Sequence, residues 1–127
     1  MNALDALKRV FSDKPDLAFA VLVGSRADGT AQANSDWDIA VQWQMSVDWL
    51  TVIGAHESLR REIAQLLGAS DLQVDLIDLD RASLVMRANV AENGKVLIGE
   101  DSLNWMHFLS RSWRKLEYFY WEQAHAA

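Results

Sequence analysis

The apolar run Ala18-Phe19-Ala20-Val21-Leu22-Val23 ends in Gly24-Ser25, and ten residues later the chain reads Asp36-Trp37-Asp38. No other feature constrains the fold as much. The run is short, contains β-branched residues and reads as a buried strand. Gly24 lets another group approach the backbone closely. Ser25 supplies a hydroxyl and can cap a short helical turn through residues 26–28, whose free N–H groups would favour anionic oxygens. Residues 29–35 are loop-like, and residues 36–43 alternate like a second strand. Asp36 and Asp38 then share one face, with Trp37, Ile39 and Val41 on the other, where Trp37 is expected in the core. If the two strands are antiparallel neighbours, Gly24-Ser25 and the two carboxylates face each other across one cleft.

Such a cleft suits a nucleoside triphosphate and its magnesium. Magnesium is a hard cation, commonly held by one or two carboxylates together with substrate phosphates. A third carboxylate is available in Leu72-Gln73-Val74-Asp75-Leu76-Ile77-Asp78, another strand pattern. There Val74 and Leu76 share one face, Asp75 and Ile77 the other. An acid inside an otherwise apolar strand is costly unless paired, and a metal or the proton of an attacking hydroxyl would pair it. Asp78 and Asp80 are the alternatives; Asp80 also suits the cap of a following helix. Gly-Ser turns and aspartates at strand starts also occur for structural reasons alone. Their combination in strand–turn–strand context, with a third intrastrand aspartate, points to a site.

Gly24-Ser25, ten residues, Asp36-Trp37-Asp38 and the later Val74-Asp75-Leu76 resemble the DNA polymerase β-like nucleotidyltransferase superfamily, and within it the minimal nucleotidyltransferases. The resemblance covers about residues 17–100. It implies an α/β fold, a palm-like nucleotidyltransferase domain with a small mixed sheet flanked by helices. By the same resemblance Gly24 and Ser25 would hold the triphosphate of ATP, and Asp36 and Asp38 would bind Mg2+. Asp75 would complete the metal site or activate the acceptor hydroxyl. Arg26 stands where a basic residue often follows the Gly-Ser pair; it is a candidate nucleotide contact or a solvated loop charge. Asp28 departs from the pattern, since many relatives carry an arginine there, and it is assigned no phosphate contact. Compact members of this kind are often paired with HEPN-domain toxins, which are typically ribonucleases. The resemblance therefore implies an antitoxin that transfers AMP from ATP to a tyrosine of its toxin. A binding-only antitoxin and an aminoglycoside-type small-molecule nucleotidyltransferase are the competing readings.

Length and charge narrow the choice. A chain of 127 residues suits one domain, residues 1–127, with a genuine core. There is no cysteine, hence no disulfide frame and no Cys-based zinc site. The opening residues lack a signal pattern and no apolar run reaches the length of a membrane span, so a soluble cytoplasmic protein is expected. The net charge is −6, and the one basic cluster is Arg111, Arg114 and Lys115. A nucleic-acid substrate is disfavoured, because such binders normally show a basic face. An acceptor delivered on another protein fits better, and an acidic chain suits a partner that is basic because it binds RNA.

Helices are expected at about 2–13, 46–67, 81–93 and 102–123, with a short strand at 95–98. The second of these would bury Trp49, Leu50, Ile53, Leu59, Ile63, Leu66 and Leu67. The last is rich in aromatic residues. Met106, Leu109, Trp113, Leu116 and Tyr120 form one stripe at helical spacing and are expected to pack on the domain. Trp105, Phe108, Tyr118, Phe119 and Trp121 lie largely off it and are expected to meet a partner protein, since aromatic residues are enriched at interface hot spots; the alternative is that all of them complete a small core. The three histidines, His56, His107 and His125, have no ligand spacing.

Overall fold

The computed structural model describes residues 2–126. In chain order these form α1 (Ala3–Ser12), β1 (Leu17–Val23), α2 (Ser25–Asp28), β2 (Trp37–Trp43), α3 (Trp49–Leu67), β3 (Val74–Asp78), α4 (Leu84–Asn93), β4 (Lys95–Ile98) and α5 (Leu103–His125). Short 3-10 turns, Asp71–Gln73 and Leu79–Arg81, flank β3. The strands make one mixed sheet in the order β3-β2-β1-β4. β1 is antiparallel to both β2 and β4, whereas β2 and β3 are parallel, with α3 as the crossover that parallel neighbours require.

Both faces of the sheet are covered, which is why β1 is buried at every position. On one face Leu7 and Phe11 of α1 and Leu59 and Ile63 of α3 pack on Leu22, Ile39, Val41 and Leu76. On the other, Val90 of α4 and Trp105 and Phe108 of α5 pack on Phe19, Val21 and Ala40. Phe19 anchors this second layer, with its ring centroid 5.0 Å from Trp105 and 5.4 Å from Phe108.

Side-chain caps set the helix starts and correct several expected boundaries. α3 begins at Trp49 rather than residue 46, because the Asp48 carboxylate accepts from the Thr51 N–H at 2.9 Å. α4 begins at Leu84 and is capped by Ser83, not Asp80; the Ser83 hydroxyl accepts from the Met86 N–H at 3.2 Å. Asp80 instead accepts from the Gln42 amide at 2.8 Å.

Two packing expectations are overturned. Trp105 and Phe108, expected at a partner surface, are buried core residues, and the inward stripe of α5 runs through Trp105, Phe108, Ser112 and Leu116. Met106, Trp113 and Tyr120, expected inside, are exposed. Either stripe has helical spacing, and Phe19 on β1 selects the one that stacks against it. In α3, Trp49, Leu50, Ile53 and Leu66 are exposed, whereas Val52, Ala55, Leu59 and Ile63 face the core.

Candidate active site

β1 delivers Gly24 to one end of the sheet. Gly24 has φ 73, in the left-handed region that favours glycine, and heads the single turn α2. The Gly24 carbonyl accepts from the Ala27 and Asp28 N–H groups at 3.0 and 3.2 Å. The leading N–H groups of the turn, those of Ser25 and Arg26, are the ones a helical turn leaves without an internal partner. The opposite end of the turn is closed by Asp28, whose carboxylate accepts from the Thr30 hydroxyl and N–H. These bonds hold the Asp28 carboxyl below the usual carboxylate range. The residue that departs from the family pattern therefore has a structural task of its own.

Strand register brings the three aspartates to the same place. Val23 pairs with Asp38 across the β1–β2 ladder, and Asp38 pairs with Asp75 across the β2–β3 ladder. Paired residues point to the same face of a sheet, so the Gly24 turn, Asp38 and Asp75 stand in a row across three adjacent strands. Asp36 precedes β2 on the same side by alternation. Asp38 is half-buried, and its carboxyl is pushed up from the ordinary value by burial, then by the charges of Asp75 and Asp36. The expected cost of Asp75 needs correcting. β3 is an edge strand and Asp75 is exposed there, so its charge is solvated rather than buried.

The donor chemistry of this cluster suits a hard divalent cation. Three carboxylates repel one another at one sheet end, and such an ion would relieve that repulsion. Among the described residues no group of three or more His, Cys, Asp or Glu side chains is arranged to hold a metal ion by itself.

Arg26 is placed differently from a simple phosphate contact. Its guanidinium donates to the Ser35 carbonyl at 2.9 Å and the Ala33 carbonyl at 3.3 Å, and stacks 4.3 Å above the Trp37 ring. It thus ties α2 to the loop that leads into the Asp36–Asp38 segment. Trp37, expected in the core, is half-buried beneath this guanidinium. Nothing in the spacing of Arg26 could reveal the contact, which depends on the path of the 29–35 loop.

A second unforeseen network lies beside β3. The Trp43 indole N–H donates to His56 Nδ1 at 3.1 Å, which leaves His56 Nε2–H to donate to the Leu76 carbonyl at 2.7 Å. His56, which lacked any signal in sequence, thereby fastens α3 to the edge strand. A groove of about 1050 Å3 runs along this edge and includes Asp75 in its lining.

Among the described residues no helix is long and apolar enough to cross a membrane. Residues 5–103 match the family model described as polymerase beta, nucleotidyltransferase. A Shewanella oneidensis protein named protein adenylyltransferase MntA is 39% identical over 100 residues, which span 78% of this chain and 66% of that protein. The fold superposes with TM-score 0.76 on a chain of a crystallised toxin–antitoxin with AMP-PNP, at 29% identity over 98% of this chain and 94% of that one. It also superposes with TM-score 0.69, at 25% identity over 96% of this chain and 91% of that one, on a chain from the complex of a tri-AMPylated Shewanella oneidensis HEPN toxin with its MNT antitoxin. The chain belongs to the polymerase β nucleotidyltransferase family.

Proposed function

We propose that this chain is an antitoxin of the protein adenylyltransferase type, which transfers AMP from ATP to a tyrosine hydroxyl of a HEPN-domain toxin and so neutralises it. The observation that supports this reading is the register Val23–Asp38–Asp75, which brings the Gly24 turn, Asp38 and Asp75 to one end of the sheet. The likeness to MntA supplies the class of acceptor. ATP and an RNA-cleaving partner are both cytoplasmic, and the protein acts there.

Gly24 and Ser25 orient the β- and γ-phosphates against the turn. Asp36 and Asp38, with Asp75 beside them, would hold Mg2+, which when bound offsets the charge on the triphosphate and stabilises the departing oxygen. Asp75 stands nearest the open edge and takes the proton of the tyrosine hydroxyl. The tyrosine oxygen forms a bond to the α-phosphorus, the bond from that phosphorus to the β-bridging oxygen breaks, and pyrophosphate leaves with the electron pair. The toxin then carries AMP, whose charge and bulk oppose RNA binding.

The last turns of α5 serve partner binding in this reading. Tyr118 is 61% exposed and Trp121 57% exposed, and the two rings stack with centroids 6.3 Å apart. This exposed aromatic end also favours a second reading, in which binding alone masks the toxin. Asp36→Asn with Asp38→Asn separates the two. Under the catalytic reading the double variant binds toxin but adds no AMP and fails to neutralise it. Full neutralisation by the double variant would establish masking, and continued AMP transfer would refute the site.

A further inference from the structure

The hydrogen-bonded chain Trp43–His56–Leu76 has no part in the chemistry just described, yet it joins the two strands that carry the carboxylates. On the adenylyltransferase reading above, we infer that His56 is a positioning residue for AMP transfer. It fixes the spacing of β2 and β3 and so holds Asp75 beside Asp38.

β3 is the strand whose placement most needs support. It has five residues and pairs only with β2, in a parallel ladder, the less stable kind per residue. The place of Asp75 opposite Asp38 depends on that ladder. The carboxylates themselves work against it. Asp38 is held above the ordinary carboxyl value by burial, then by the charges of Asp75 and Asp36. Like charges therefore push β2 and β3 apart at the point where catalysis needs them together.

Side chains of β2 and α3 supply the opposing grip. Trp43 is the last residue of β2, and its indole N–H donates to His56 Nδ1 at 3.1 Å. His56 Nε2–H donates in turn to the Leu76 carbonyl at 2.7 Å. Leu76 pairs with Ile39, one step beyond the Asp38–Asp75 pair. A second tie lies one turn further along α3, where the Arg60 guanidinium donates to the Asp71 carbonyl. Glu57 orients Arg60 by accepting from its Nε and Nη2. The two held carbonyls, those of Asp71 and Leu76, bracket Asp75. A neutral imidazole offers one acceptor and one donor on a rigid ring, which is what linking an indole N–H to a carbonyl requires. An apolar residue at position 56 would fill the space and leave the buried Trp43 indole N–H without its partner.

The test compares wild type with His56→Phe, which keeps a ring but loses both bonds, and His56→Gln, which keeps one donor and one acceptor. Each is assayed well below its melting temperature for AMP transfer to a candidate HEPN-domain toxin partner, and for amide hydrogen exchange across β3. In His56→Phe the amides of residues 74–78 should exchange about tenfold faster, while those of β1 stay near wild type. Its kcat should fall about tenfold with KM for toxin near wild type. His56→Gln should recover most of the loss in both readouts. Should His56→Phe not fold, Arg60→Gln, which loses the tie to Asp71, is read in the same way. Faster β3 exchange with wild-type kcat would make His56 a fastening only and overturn the inference, and so would unchanged exchange. If wild type adds no AMP to the toxin, the adenylyltransferase reading itself fails, and the inference with it.

Discussion

A Cβ placed on Gly24 would lie 2.5 Å from Asp38 Oδ2, so the phosphate-side turn and the central carboxylate are in contact through a glycine. The same residue has φ 73, where an L side chain is strained. Gly24→Ala should therefore displace Asp38 and strain the turn together. We expect at least a tenfold loss of AMP transfer, since about 1.4 kcal/mol of misplacement suffices, and a stability loss on the order of 1–3 kcal/mol in urea melts. Wild-type turnover in this variant would mean that the contact does not position the carboxylate.

Asp38 also predicts a pH-dependent trade between stability and catalysis. Burial and the charges of Asp75 and Asp36 raise its pKa in the folded chain, whereas the unfolded chain has the ordinary value. The native state is thus favoured while Asp38 is protonated, and that advantage is lost as pH rises through the folded-state value. Asp38→Asn should melt above wild type in metal-free buffer at about pH 7.5, with the difference shrinking toward about pH 4. MgATP should raise the melting temperature of wild type more than that of the variant. An Asp38→Asn protein less stable than wild type at both pH values would contradict the electrostatic account.

Arg26 should act through the loop it holds. Removing its bonds to Ala33 and Ser35 in Arg26→Ala should raise amide hydrogen exchange through residues 31–36. Transfer should fall by about tenfold, and Arg26→Lys should rescue it poorly, because an ammonium cannot both stack on Trp37 and span two carbonyls. Lower ATP affinity with unchanged loop exchange would mark Arg26 as a phosphate contact instead.

The two ends of α5 should respond oppositely to truncation. Phe108 is fully buried beside Phe19 and Trp105, so Phe108→Ala should cost about 3–5 kcal/mol of stability. Tyr118→Ala and Trp121→Ala should leave the melting temperature within a few degrees of wild type and weaken toxin binding by about tenfold. Toxin affinity equal to wild type in both surface variants would remove this end of α5 from the interface.

The parts of this fold that sequence made legible are those set by short-range rules. The run into Gly24-Ser25 and the alternation through Asp36-Trp37-Asp38 specify two strands, a turn and the faces of the carboxylates, and the ladders keep that arrangement. What escaped depends on long-range packing. α5 is apolar around most of its circumference near residues 105–109, so its period could not say whether Trp105 and Phe108 or Met106 and Trp113 face inward. Trp49 and Ile53 follow an amphipathic pattern, but the face of α3 that meets the core runs through Val52, Ala55, Leu59 and Ile63. His56 and Arg26 gain their roles from carbonyls on other segments, which carry no signature in side-chain sequence.

The most direct test is to incubate the purified chain and a candidate HEPN-domain toxin partner with ATP and Mg2+ and to measure the intact mass of both. A gain of one or more AMP units on the toxin, absent when Asp36 and Asp38 are both changed to Asn, is the predicted result. A stable complex in which the toxin gains no mass would contradict the catalytic account.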